Sequence, residues 1–162
     1  MDRLSKFIIG LLLISPLAMG QQDNSVTVFV GRKVPFKPQL VLDLSFQNLT
    51  EVPIKASNQE IEILILDDNN IEKLPNWIGS LKNLKVLSVR NNKLTDLNSA
   101  ISFCGNLQQL YLSGNKRLSD LPNLSSCDNL TIIDAVDTKI NELPGWVQMM
   151  DNLYYFKFTE RK

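Results

Sequence analysis

The sequence predicts an α/β solenoid, in which similar coils stack and each contributes one short parallel strand. The first indication is the stretch I-E-I-L-I-L-D-D-N-N-I-E-K-L-P at residues 61–75, which fits neither a helical period nor simple strand alternation along its whole length. It fits a short strand that bends inward at an asparagine, Asn69. The second indication is repetition, because the same pattern returns after 23 residues around Asn92. One coil cannot bury its own apolar edge in water, so copies are required.

Further copies extend the pattern in both directions along the chain. Later copies contain Leu107, Leu110, Leu112, Asn115, Leu118 and Leu121, then Leu130, Ile133, Ala135, Thr138, Ile140 and Leu143, then Leu153, Phe156 and Phe158, and a shorter first copy contains Leu42, Leu44, Gln47, Leu49 and Val52. The pattern resembles the leucine-rich repeat family, L-x-x-L-x-L-x-x-N-x-L, over residues 39–162, most closely in L-K-N-L-K-V-L-S-V-R-N-N-K-L. The resemblance implies a horseshoe with a parallel sheet on its concave face and short helical or irregular turns on its convex face.

The chain before the repeats divides into two segments. Residues 1–20 resemble a secretory signal peptide, with Arg3 and Lys6 before an apolar run and small residues at Ala18 and Gly20. The apolar run is too short to span a membrane, so we expect no membrane span after cleavage. Residues 21–38 do not match the repeat and are predicted to form an N-terminal cap or a flexible leader. The expected location is exported: periplasmic, at the cell surface or secreted.

Charge and composition exclude several functional classes. The 17 basic and 17 acidic residues balance, which argues against binding nucleic acid through its phosphates. The chain has no histidine, so histidine-dependent catalysis and histidine metal ligands are absent, and we expect no cofactor, no metal site and no enzyme activity. The carboxylates form two pairs, Asp67–Asp68 and Asp134 with Asp137. Both pairs are expected on an open surface, where burial would not raise the pKa of either carboxylate of a pair.

The repeated asparagines are predicted to have a structural role. Asn69, Asn92 and Asn115 should face inward, where a side-chain amide can both donate to and accept from the backbone of adjacent coils. Gln47 and Thr138 occupy the same repeat position in the outer coils. These side chains would form a ladder of hydrogen bonds between successive coils. Since the threonine side chain is shorter, the ladder should be weakest at Thr138.

Two cysteines, Cys104 and Cys127, fall at convex positions that hold Leu81 and Met150 in other coils. They are interpreted either as buried thiols that pack as small apolar groups or as a disulfide between neighbouring coils, which export would favour. Trp77 and Trp146 are expected to pack the convex turns.

The concave face is the candidate contact surface. Its strand residues should form ladders across the sheet, with an exposed apolar band and three charged neighbours. The band contains Ile63, Ile65, Val86, Tyr111, Ile132 and Tyr155, and the charged neighbours are Asp67, Arg90 and Asp134. An apolar band with charges beside it is typical of protein-contact surfaces, and aromatic residues often anchor them.

The sequence therefore predicts a non-catalytic module that binds a protein or peptide ligand through its concave face. The alternative is a self-associating structural protein of the cell envelope or surface. In that hypothesis the last strand, within residues 153–159, offers an open edge to a second copy, which would give a homodimer.

Overall fold

A computed structural model describes residues Leu40–Thr159. The predicted signal peptide at 1–20 and the predicted cap or leader at 21–38 lie outside the described residues. Within Leu40–Thr159, no helix is long and apolar enough to cross a membrane.

Six short strands form one parallel sheet in the order in which they occur along the chain, as predicted. We number the coils 1 to 6 after their strands. The strands are β1 (Val41–Asp43), β2 (Ile63–Ile65), β3 (Val86–Ser88), β4 (Gln109–Tyr111), β5 (Ile132–Ala135) and β6 (Tyr155–Phe158). Neighbouring strands pair in the register of the 23-residue repeat, so that Leu64 stands opposite Leu87, and Leu87 opposite Leu110.

The core is a continuous column of repeat leucines behind the sheet. Leu64, Leu87 and Leu110 are 0% exposed, which confirms that these strands share one apolar interior. Repeat position Leu143 is different: its side chain is 56% exposed, although Leu121 at the same position of the preceding repeat is 4% exposed. The expectation that Leu143 belongs to the core is therefore wrong. Coil 5 is the last coil whose return segment lies within Leu40–Thr159, so this segment is stacked on one side only.

Short 3₁₀ turns cover the side of the core opposite the sheet. The described part of the chain has four, and no α-helix: Ile54–Ser57, Asn76–Ser80, Ser99–Phe103 and Gly145–Met149. Ile78 and Ile101 in these turns are fully buried, and Trp77 and Trp146 pack against the core as expected. Adjacent turns approach so closely that a Cβ at Gly79 would lie 2.5 Å from the carbonyl oxygen of Ala100.

The inward asparagines are buried and join neighbouring coils, as predicted. Asn92 Nδ2 donates to the carbonyl oxygen of Leu66 in coil 2 at 2.9 Å. Its Oδ1 accepts from the backbone N–H of Ile71 at 2.9 Å. Asn69 and Asn115 repeat both contacts with the coil before each of them. Each amide therefore satisfies polar backbone groups that the turn removes from the sheet.

The two outer positions of this ladder differ from it. Thr138 Oγ1 donates to Ala135 at 2.7 Å and accepts from the N–H of Ile140 at 3.2 Å, both within its own coil, so it does not join the coils. Gln47 does not fill the position: its side chain is exposed, and instead its backbone N–H donates to Asn69 Oδ1 at 3.0 Å. Gln47 has the same spacing from its strand as Asn69, but coil 1 is the first described coil, so within Leu40–Thr159 a side chain at this position has no backbone of a preceding coil to contact.

A second asparagine ladder lies on the surface and was not predicted. Its members precede the strands by three residues and recur every 23 residues. Each side-chain amide donates to a backbone carbonyl 24 residues earlier, at 2.7–3.0 Å, and the donors are Asn83, Asn106, Asn129 and Asn152. The 23-residue spacing of these asparagines in the sequence is the signal from which this ladder could have been predicted.

Candidate functional site

The strand side chains that point away from the core form one surface, which we call the sheet face. Because the strands pair in register, equivalent residues form ladders across it. It comprises Val41, Asp43 and Ser45; Ile63, Ile65 and Asp67; Val86, Ser88 and Arg90; Gln109, Tyr111 and Ser113; Ile132, Asp134 and Val136; and Tyr155, Lys157 and Thr159.

The predicted apolar band lies on the sheet face, but it is less exposed than expected. Five of its six members are half-buried, namely Ile63, Ile65, Val86, Tyr111 and Tyr155. The sixth, Ile132, is 6% exposed, so the expectation that it lies in an exposed band is wrong. Ile132 stands in register between Gln109 and Tyr155, and longer side chains on both neighbouring strands can shield an isoleucine.

The centre of the sheet face is built around Arg90. Its guanidinium carbon lies 4.1 Å from the centroid of the Tyr111 ring, a cation–π contact. One guanidinium nitrogen lies 3.6 Å from Asp134 Oδ2. The Tyr111 hydroxyl donates to Gln109 Oε1 at 2.9 Å, which fixes the ring beneath the guanidinium. The structure thus brings together predicted site residues from three successive coils.

Asp67 lies on the other side of Arg90 and is held by the neighbouring strand. Its Oδ1 accepts from Ser88 Oγ at 2.6 Å and from the backbone N–H of Arg90 at 2.8 Å. Burial raises the pKa of Asp67 above its ordinary value of 3.8, although these hydrogen bonds and the Arg90 charge oppose the rise. The expectation that burial would raise no carboxylate pKa on this surface is therefore wrong for Asp67.

This raised pKa predicts how stability depends on pH. The folded chain holds the Asp67 proton more tightly than the unfolded chain does, so the contribution of this group to stability is greatest below pH 3.8. It falls as the pH rises through the pKa in the folded chain. Asparagine can accept the same two hydrogen bonds without the charge. We expect Asp67→Asn to unfold at a higher urea concentration than the wild type at pH 7, with the difference shrinking as the pH falls towards 3. A variant less stable at pH 7 would show that the ionised form is net stabilised by folding.

The two cysteines are buried free thiols in the structure. Cys104 Sγ donates to the carbonyl oxygen of Ile78 at 3.2 Å, and Cys127 Sγ approaches that of Ser102 at 3.6 Å. Burial raises the pKa of each thiol to about 11. Because the thiolate is the reactive form, neither thiol is primed for nucleophilic chemistry at neutral pH.

Two clefts among the described residues lie away from the predicted contact residues. One shallow cleft is lined by Ser125, Asp128, Met149 and neighbouring residues, and another by Lys116, Asp137, Thr138 and Thr159. Neither cleft is lined by a member of the apolar band or by Arg90, Tyr111 or Asp134. What the sheet face offers is therefore an open surface with half-buried apolar, aromatic and charged groups, which suits recognition by contact.

Known sequences and structures place this geometry among repeat proteins. A family model described as leucine rich repeat matches residues 59–116, and a second model of the same description matches residues 106–128. No curated protein sequence matches the chain.

Two solved structures are similar to the chain. A leucine-rich repeat protein of Leptospira interrogans is 34% identical over 72% of this chain and 30% of its own, with a TM-score of 0.66. The functional domain of InlJ from Listeria monocytogenes, described as including a cysteine ladder, is 18% identical over 74% of this chain and 24% of its own, with a TM-score of 0.61. The chain thus spans less than a third of either structure. The repeat in the sequence, the parallel six-stranded sheet and both sets of matches agree, and the chain belongs to the leucine-rich repeat family, whose domains are generally protein-binding modules.

Proposed function

We propose that this chain is a non-catalytic module that binds a protein or peptide through its sheet face. The observation that carries the proposal is the cluster of Arg90, Tyr111 and Asp134 beside the half-buried apolar residues Ile65 and Val86. We also propose that the module acts after export, which is supported by the signal-like sequence of residues 1–20.

The state of Arg90 supports this function. Arginine and tyrosine are enriched among the residues that dominate binding energy at protein interfaces. Stacking on Tyr111 holds the guanidinium in place before binding, so the Arg90 side chain would lose less entropy when a partner binds. Within Leu40–Thr159, the Arg90 side chain donates no hydrogen bond, and its contact with Asp134 is long at 3.6 Å. Its planar set of N–H donors can therefore bind carbonyl or carboxylate oxygens of a partner.

The half-buried apolar residues supply the second part of the contact. Ile63, Ile65 and Val86 keep part of their surface in water, and covering it would contribute about 25 cal/mol per Å² removed from solvent. Ile63 stands opposite Val86 on the adjacent strand, and Ile65 lies two residues further along β2, so an extended segment laid across the sheet would contact apolar side chains of both strands.

The test is affinity capture from the native source with the double variant Ile65→Glu/Tyr111→Glu. Two new carboxylates in the centre of the sheet face should abolish capture of the partner, since they place charge in the contact and remove the ring beneath Arg90. The matched control is Ile54→Glu/Phe103→Glu, which makes similar changes at residues 73% and 66% exposed on the 3₁₀ turns. Circular dichroism of both variants checks that they are folded.

Capture retained by the sheet-face variant would place the binding surface elsewhere. Capture lost equally in both variants would show that added negative charge, rather than the sheet face, prevents binding. Sedimentation of the wild type at tens of micromolar tests the alternative, self-association: a monomer at that concentration would argue against a structural role through assembly.

A further inference from the structure

The acidic residues are distributed unevenly along the stack of coils. Residues 40–73, which form coil 1 and most of coil 2, contain seven acidic and two basic side chains. Residues 74–159 contain seven acidic and eight basic side chains. Among the described residues, coils 1 and 2 are therefore strongly acidic, whereas the later coils are nearly neutral.

Part of this acidic region lies on the sheet face and its border. Asp43 and Asp67 point from the face, and Asp68 follows directly in the turn, with a left-handed φ of 55°. Each of the three carboxylates accepts hydrogen bonds through Oδ1 only: Asp43 from Ser45 at 2.7 Å, Asp67 as described above, and Asp68 from Asn91 at 2.9 Å. Within the described residues, the second oxygen of each carboxylate accepts none.

Lys85 and Arg90 make their ion-pair contacts with carboxylates other than these three. The Lys85 ammonium lies 2.7 Å from Glu62 Oε2. The Arg90 guanidinium is turned towards Tyr111 and Asp134. None of the three carboxylates, Asp43, Asp67 and Asp68, forms an ion pair within Leu40–Thr159. Asp43 stands opposite Ile65 in register, and the charge of Arg90 acts on Asp67.

We propose that the segment bound by the sheet face is basic where it crosses coils 1 and 2, and that its lysine or arginine side chains pair with Asp43, Asp67 and Asp68. This inference rests on the proposed function and identifies the class of partner. Oppositely charged surfaces attract each other during encounter and fix the orientation of binding. An acidic polymer at the same place would be repelled by the three carboxylates.

The burial of Asp67 strengthens the pairing with a basic partner. A cation beside this carboxylate would lower its raised pKa towards the ordinary value, so binding should tighten as the pH rises through that range. The charged groups that face Asp67 are Arg90 and Asp68, and Ser88 donates to it. Aspartate to asparagine changes at the three positions remove charge with little strain, because asparagine keeps the Oδ1 acceptor and tolerates the left-handed conformation of residue 68.

The experiment uses two fluorescent peptides of about twelve residues with leucine and serine at the same positions, one with lysines and the other with glutamates at the remaining positions. Fluorescence anisotropy at low and high salt should show that the wild-type chain binds the lysine peptide and not the glutamate peptide, and that salt weakens the binding. Asp43→Asn/Asp67→Asn/Asp68→Asn should weaken it roughly tenfold or more. The matched control Glu51→Gln/Glu60→Gln/Glu72→Gln removes the same charge from exposed residues of the same coils outside the sheet face, and should change binding by no more than about twofold.

Equal weakening in both triple variants would overturn the inference, because the effect would then come from net charge alone. Failure of the wild type to prefer the lysine peptide would also overturn it. The native partner separates this inference from the proposed function: capture lost in Ile65→Glu/Tyr111→Glu but unchanged in Asp43→Asn/Asp67→Asn/Asp68→Asn would leave the binding function intact and refute the basic partner.

Discussion

Replacement of Asn92 by alanine is expected to lower the free energy of unfolding by about 3 kcal/mol. Most of this loss should come from one group, the backbone N–H of Ile71, which donates to Asn92 Oδ1 and would be left buried without an acceptor. The carbonyl oxygens that accept from Asn92 lose less. Those of Leu66 and Val89 still accept from Asn69 and Asn115, respectively.

Thr138→Ala is the matched control, because Thr138 occupies the same repeat position but bonds only within its own coil. We expect a smaller loss of about 1 kcal/mol for this variant, because the bond that the Ile140 N–H would lose is longer, at 3.2 Å, than the 2.9 Å bond of Ile71. Urea denaturation followed by tryptophan fluorescence and circular dichroism measures both. Equal losses would show that the bonds between coils made by Asn92 add nothing to those within a coil.

The fold could be predicted because burial repeats. Leu64, Leu87 and Leu110 must each face the same interior, so their 23-residue spacing fixes both the strand positions and the register between strands. The inward asparagines were predictable for the same reason, since an amide recurring among leucines indicates a repeated buried polar contact. Gln47 is an exception: coil 1 is the first described coil, so its side chain has no preceding coil to join within Leu40–Thr159, and it lies in solvent.

The sheet face was predicted in position but not in environment. Strand alternation places Ile132 and Asp67 on the outer side of the sheet, yet it does not determine how much their neighbours on adjacent strands cover them. Ile132 is almost fully buried, and Asp67 is buried enough for its pKa to rise. The stacking of Arg90 on Tyr111 likewise depends on side-chain conformations that the repeat pattern does not specify.

The cysteines show a similar limit. Their 23-residue separation places them in adjacent coils, but the orientation of each sulfur decides between a disulfide and two thiols. In the structure each sulfur approaches a carbonyl oxygen of the preceding coil.

Leu121→Ala and Leu143→Ala test whether burial in the structure, rather than position in the repeat, determines stability. Both leucines precede a proline after an acidic residue, in D-L-P and E-L-P. Leu121 is 4% exposed and Leu143 is 56% exposed. Truncation at Leu121 removes buried methyl groups and leaves a cavity between coils, which should cost about 3 kcal/mol. Truncation at Leu143 leaves no enclosed cavity and should cost less than about 1 kcal/mol.

Thermal unfolding separates these outcomes well, because a loss of about 3 kcal/mol lowers the midpoint of a chain of this size by roughly 6–12 °C. Similar losses for the two variants would mean that Leu143 is covered in solution. Coil 5 would then have a neighbour on the side that Leu40–Thr159 leaves open, whether another part of the chain or a second copy. The leucine pair therefore also tests the side of coil 5 that Leu40–Thr159 leaves open. If the difference in midpoint between the wild type and Leu143→Ala grows as protein concentration rises, the neighbour is a second copy.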